Sequence, residues 1–299
     1  MPEILHRLVL VASLLALLGS HQVSDAQDDQ PDVSAETEIR DFFREFESAT
    51  RDETAERLMK AFDFQTFVDA VIDQSGVKLP DVVKNQLHTQ VAVMTRREYE
   101  ALDDRWTRHK IVNILWTADK EVAEVFVRHW SEDLTTWRTI YYLKRTDQGL
   151  KIFDWMDLAL GFSTVSLTAA IMSDGAESNF PPQLARGMQH LFRAMMALME
   201  GDQAAASDWL EKSTGAAISP VLEALRWNLN AAVSLEYEPV YALECVDKVE
   251  AFNDRLIMAS FMRASAHMQL GNYEKVVRYA QDYLDQYGAD ADTFYALGV

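Results

Sequence analysis

An α+β unit followed by a wholly helical unit is the fold class that the sequence predicts, and three observations predict it. Apolar residues recur at helical spacing between residues 35 and 102, and β-branched and aromatic residues crowd into four short runs between 109 and 158. Beyond about residue 187 helical patterning returns, and there a turn recurs along the chain.

In the first stretch Ile39, Phe42, Phe43 and Phe46 form one helical face, and Leu58, Met59, Phe62 and Phe64 lead into a segment with Phe67, Val68, Val71 and Ile72. Gly76 and Pro80 punctuate. Pro80 and Asp81 suit a helix start, and Val83, Leu87, Val91 and Met94 line a long helix ending near Tyr99 and Leu102. The four runs predict strands over 109–116, 121–130, 135–145 and 150–158, with links short enough for hairpins and hence an antiparallel meander. Along the third, Trp137, Thr139, Tyr141 and Leu143 alternate with Arg138, Ile140, Tyr142 and Lys144. Because an apolar stripe and strand aromatics bury one another, the helix over 81–102 is expected to cover the concave side of this sheet.

The order of helices before a meander, closing on Tyr141-Tyr142-Leu143-Lys144-Arg145 and Gly149-Leu150-Lys151-Ile152-Phe153-Asp154-Trp155, resembles the cone-shaped domain of the nuclear-transport-factor-two-like superfamily over residues 36–170. It is also similar to the phospholipid-shuttling toluene-tolerance proteins of the periplasm. The resemblance implies a small pocket with an acid or base inside, for which His129 and Asp154 are the candidates, or a cavity for a lipid or other apolar molecule. The residues themselves leave another reading open. An aromatic-rich strand flanked by Trp130 and Trp155 is core, and a strand Asp beside a turn pairs with backbone or an Arg.

Residues 171–186 include Ser173-Asp174-Gly175-Ala176-Glu177-Ser178-Asn179-Phe180-Pro181-Pro182, a linker composition. Past it, Leu270-Gly271-Asn272-Tyr273-Glu274-Lys275 resembles the turn between the two helices of a tetratricopeptide repeat, with Val276 and Ala280 at its small positions. Ala291 to Gly298 resembles the opening of a further unit, Gly201-Asp202-Gln203 an earlier turn, and Asn230, Tyr237 and Pro239 depart from the pattern. The resemblance covers residues 187–299 and implies a concave partner-binding groove lined by Met188, Leu191, Met195, Leu198, Trp227, Met258, Phe261 and Met268, where methionine gives an adaptable apolar surface. Internal packing is the other reading of these eight side chains. Since 291–299 is too short for a stable isolated helix, the repeat array is expected to continue beyond Val299.

The N-terminus carries His6 and Arg7 before the uncharged run Leu8 to Leu18, then Ser24 and Ala26 at the small positions of a cleavage site, so residues 1–26 are expected to be a signal peptide. The run is shorter than the about 20 residues a bilayer span needs. Formal net charge is −19 over the whole chain, a balance that repels nucleic acid and anionic lipid. With one cysteine, Cys245, no internal disulfide is possible. No phosphate-binding glycine loop, His-Glu-x-x-His, nucleophile elbow or paired-cysteine spacing occurs. These features predict an exported, periplasmic or extracellular bacterial scaffold that binds a protein or peptide and uses neither cofactor nor metal. The alternative is a periplasmic carrier of an apolar small molecule.

Overall fold

The computed structural model describes residues 33–51, 55–101, 108–117, 119–130, 136–158, 161–178, 182–199, 201–214, 219–252 and 258–287. The expected signal peptide over 1–26 and the expected opening of a further repeat over 291–299 lie outside the described residues. The chain divides into two compact units, Met1–Ala169 and Ala170–Val299.

The first unit is α+β. Helices α1 (Val33–Arg51), α2 (Ala55–Met59), α3 (Phe64–Ser75) and α4 (Asp81–Ala101) precede strands β1 (Arg108–Trp116), β2 (Val122–Trp130), β3 (Thr136–Thr146) and β4 (Gly149–Asp157). The strands form one sheet in the order β1-β2-β3-β4, every neighbouring pair antiparallel, as short hairpin links require. Capping starts α3, where the Asp63 carboxylate accepts from the Thr66 backbone N–H at 3.0 Å and from the Thr66 hydroxyl at 2.6 Å. The residues just before it are stitched to β4, with Asp63 N–H donating to the Ile152 carbonyl and Ile152 N–H donating to the Ala61 carbonyl, each at 2.8 Å.

A chain of rings fills one face of the sheet. Phe43 and Phe46 of α1 lie 5.4 and 5.7 Å from Tyr141, Phe46 lies 6.2 Å from Phe62, and Phe62 and Phe67 lie 5.4 and 5.7 Å from Trp155. Each such pair adds about 0.5–1.5 kcal/mol beyond area burial. The cover therefore differs from the expected one: α1 packs on β1 and α3 on β4, whereas α4 packs on α2 and α3. Among the described side chains of α4 only Val91 is buried. On α1, by contrast, Ile39, Phe43 and Phe46 are all buried, so its aromatic face takes up the contact with the sheet.

Helix α5 (Thr164–Ser178) carries the chain from the first unit into the second, and α6 begins at Pro182, so most of the expected linker over 171–186 is helical. Apolar residues Ile171 and Met172 explain this, since both are buried in α5. The second unit is otherwise made of α6 (Pro182–Met199), α7 (Gln203–Ser213), α8 (Pro220–Ser234), α9 (Pro239–Phe252), α10 (Ala259–Gln269) and α11 (Tyr273–Tyr287). They pack as three helical hairpins, α6 with α7, α8 with α9 and α10 with α11, and neighbouring hairpins touch through α7–α8 and α9–α10.

Burial in the hairpins is periodic. Ala224, Leu225 and Asn228 are buried, and so, 34 residues on, are Met258, Ala259 and Met262. Ala242, Val246 and Val249 of α9 recur 34 residues later as Val276, Ala280 and Tyr283, and 36 residues earlier as Ala206, Leu210 and Ser213, all buried. The first and third hairpins also share a turn. Gly201 and Gly271 take φ of 76° and 70°, and the paired bonds Gly201 N–H to Leu198 O and Asp202 N–H to Ala197 O recur as Gly271 N–H to Met268 O and Asn272 N–H to His267 O. Tyr237 stands at the corresponding place in the second hairpin. It is not left-handed, and Glu238 N–H instead closes a tighter turn on Ser234 O at 2.9 Å, four residues back rather than five.

Candidate functional site

On the ring-filled face a line of polar side chains crosses from α1 to β3. Register sets it up: His109 of β1 lies directly opposite His129 of β2, so both imidazoles point to the same face, with centroids 6.4 Å apart. Glu47 of α1 places Oε2 at 2.8 Å from His109 Nδ1, and the phenol oxygen of Tyr141 lies 3.0 Å from His129 Nε2. Burial is graded along this line, for Glu47 and His109 are 20% and 11% exposed while His129 and Tyr141 are sealed.

Burial governs the charges here. Desolvation, with His109 adding repulsion, pushes His129 down to about 3, and desolvation raises the Tyr141 phenol far above its ordinary range. Tyr141 therefore keeps its proton and shares a hydrogen bond with a neutral His129. At the more open end, the Glu47 carboxylate orients the His109 ring. Together the four groups satisfy one another inside an aromatic core.

Asp154 is elsewhere. It pairs in register with Tyr142, which pairs with Glu124, five residues along β2 from His129, so Asp154 and His129 lie on opposite faces of the sheet. The structure thus does not bring His129 and Asp154, the two candidates implied by the resemblance, together on one face. Asp154 caps α5 from across the structure: its Oδ1 accepts from Val165 N–H at 3.1 Å and from Trp155 N–H at 2.8 Å, while Oδ2 has no hydrogen-bond partner. Beside it Ser163 Oγ accepts from Ser166 N–H at 2.9 Å, and the Thr164 hydroxyl donates to the Trp155 carbonyl at 3.1 Å. Burial pushes Asp154 up to about 7 against the opposing effect of the nearby Ser163 hydroxyl and of the hydrogen bonds from Val165 and Trp155. Glu124, Arg128 and Tyr142 share its face and are also buried.

The eight groove residues divide. Met188, Leu191, Met195 and Met258 are buried, and Met268 packs on the Ala264, Val276 and Ala280 core between α10 and α11. The Phe261 ring lies tilted at 5.9 Å from that of Tyr283, itself buried. Internal packing accounts for these six, because α6 and α10 turn their apolar stripes toward their own hairpin partners. Leu198 is half-buried. Trp227 is half-buried too, with Lys248 Nζ at 3.6 Å and the Arg226 guanidinium at 5.2 Å from the ring centre. Glu47, His109 and Tyr141 were not singled out by sequence reasoning, and no local motif joins residues so far apart in the chain.

Among the described residues no helix is long and apolar enough to cross a membrane, and no group of three or more His, Cys, Asp or Glu is placed to hold a metal ion. Compared with models of protein families, with curated proteins and with solved structures, the chain matches none.

Proposed function

We propose that this chain is an exported interaction scaffold whose helical-hairpin unit, built as tetratricopeptide-type repeats, holds another protein. The observation that carries this reading is the 34-residue recurrence of buried positions through α8 to α11. A unit whose interior is used up by hairpin-to-hairpin stacking works through its outward helix faces, as helical repeats do. Trp227, half-buried and flanked by two cations, is the anchor retained from the expected groove. The α+β unit acts as a separate packed module. Its rings sit at contact distance across the sheet face, which speaks against a lipid carrier there.

The test is capture of a partner from an envelope extract of the source cell, using the chain without residues 1–26 as bait. Retention by the wild type, with loss on Trp227→Ala at an unchanged melting temperature, supports the reading. Equal retention by both proteins, or a collapse of the variant's melting temperature, counts against it.

A further inference from the structure

Helix α6 contains no acidic residue over its whole length, in a chain that has 47. Arg186, His190 and Arg193 stand at i, i+4 and i+7, which places them on one side of the helix. Arg186 and Arg193 are exposed, and among the described residues neither guanidinium is held in an ion pair. Other arginines are held so: Arg145 by Glu38, Arg226 by Glu223, and Arg263 by Asp247 and Glu250.

Trp209 of α7 completes the face. The Arg193 guanidinium lies 4.5 Å and Lys212 Nζ 4.4 Å from its ring centre, and the His190 ring is 5.4 Å away. His190 Nδ1 lies 2.8 Å from the Lys212 carbonyl, to which it donates, so the two helices hold these groups in one arrangement. Carboxylates border the face on α7, where Asp208 pairs with Lys212 and Glu211 is exposed. Neither compensates Arg186 or Arg193.

We propose that this basic, Trp-centred face of α6 and α7 is a docking surface for an acidic peptide segment of a partner protein. The proposal rests on the interaction-scaffold reading and deepens it by naming the chemistry of the partner. Arginine forks match carboxylates bidentately, and the indole offers apolar contact between them. A net charge of −19 repels extended polyanions at long range, so a short segment with a few carboxylates reaches this face more readily than nucleic acid or an anionic bilayer.

The test is fluorescence anisotropy of the full chain with a short fluorescein-labelled Glu-rich peptide, its Gln-for-Glu counterpart, labelled single-stranded DNA and anionic phosphatidylglycerol vesicles. The Glu peptide is expected to bind in a salt-sensitive way and the Gln peptide not to bind. The double variant Arg186→Gln/Arg193→Gln should weaken binding about tenfold or more, ~1.4 kcal/mol. Both side chains are exposed, and unchanged circular dichroism and melting temperature would show that the fold is intact. As a control, Lys275→Gln/Arg278→Gln removes two exposed charges from α11 and should leave the affinity unaltered.

Failure of the Glu peptide to bind the wild type, equal binding by the double variant, or stronger binding of DNA or vesicles would overturn the proposal. So would salt-sensitive dimerisation abolished by the same double variant, which would make the occupant a second copy. If the peptide fails while envelope capture still depends on Trp227, the docking inference falls and the scaffold reading stands.

Discussion

Replacing Asp154 by Asn should change how the stability of the α+β unit depends on pH. The carboxyl is sealed, accepts two backbone N–H bonds through Oδ1, leaves Oδ2 without a partner and is pushed from 3.8 up to about 7. An acid whose folded pKa is raised keeps its proton in the folded state where the unfolded chain has released it. Stability from this group therefore falls as pH rises from about 4 to about 7 and is level above that. A shift of ~3 units corresponds to about 4 kcal/mol at ~1.36 kcal/mol per unit, an order-of-magnitude figure for a fully buried group.

Asparagine keeps the Oδ1 acceptor and the shape but cannot ionise. Its amide adds a fixed cost of about 1–3 kcal/mol if the Oδ2 side stays without a partner, and that cost does not vary with pH. The assay is urea unfolding of wild type and Asp154→Asn at about pH 4.5, 6 and 8, followed by the near-ultraviolet signal of the Trp155 ring cluster. Between about pH 4.5 and 8 the difference should move in favour of the variant by up to about 3–4 kcal/mol. Parallel stability curves for the two proteins across that range would refute the reasoning.

Other outcomes follow from the same physics. Tyr141→Phe deletes the phenol bond to a buried neutral His129 and should cost about 1–3 kcal/mol in urea unfolding, with the helical hairpins unaffected by amide exchange. His129 contributes the opposite pH slope: with its folded pKa lowered from 6.5 to about 3, stability falls as pH falls through that interval, and His129→Gln should flatten the acid limb of the wild-type profile. Gly271→Ala places a Cβ in open space but at φ of 70°, so strain alone should destabilise by about 1–2 kcal/mol, with Gly271→Asn milder. Ala280→Leu overfills a position buried between α10 and α11 and should cost about 1–3 kcal/mol, with faster amide exchange confined to residues 258–287.

Much of the fold was legible because burial leaves a period. Phe43 and Phe46 show helical spacing, the four strands show runs of β-branched and aromatic residues, and Gly271-Asn272-Tyr273 shows a turn whose glycine is left-handed. The cover of the sheet was misassigned because a sequence tells which helices have apolar faces and not which face wins. The stripe of α4 is regular, but α1 offers a cluster of rings in mutual contact, Phe42, Phe43 and Phe46. Composition also misled at Ser173 to Ser178, where small and polar residues suggest a linker while buried Ile171 and Met172 carry α5 onward.

The candidate sites were harder to read for a more specific reason. His129 and Asp154 both sit on strands, and only the register, fixed by the pairing of Tyr142 with Glu124 on one side and Asp154 on the other, sends them to opposite faces. Repeats raise the same difficulty in helical form. A 34-residue spacing identifies positions that stack, and stacking is the property that removes Met188, Leu191 and Met258 from contact with a partner. Recognition must then rest on side chains the repeat does not require. Arg186 and Arg193 meet that condition, for nothing in hairpin packing calls for an acid-free helix with two exposed guanidinium groups on one side. Under the scaffold proposal, interaction specificity would be written where the period is silent, so the charge pattern of α6 is a better guide to a proposed partner than the apolar pattern that built the stack.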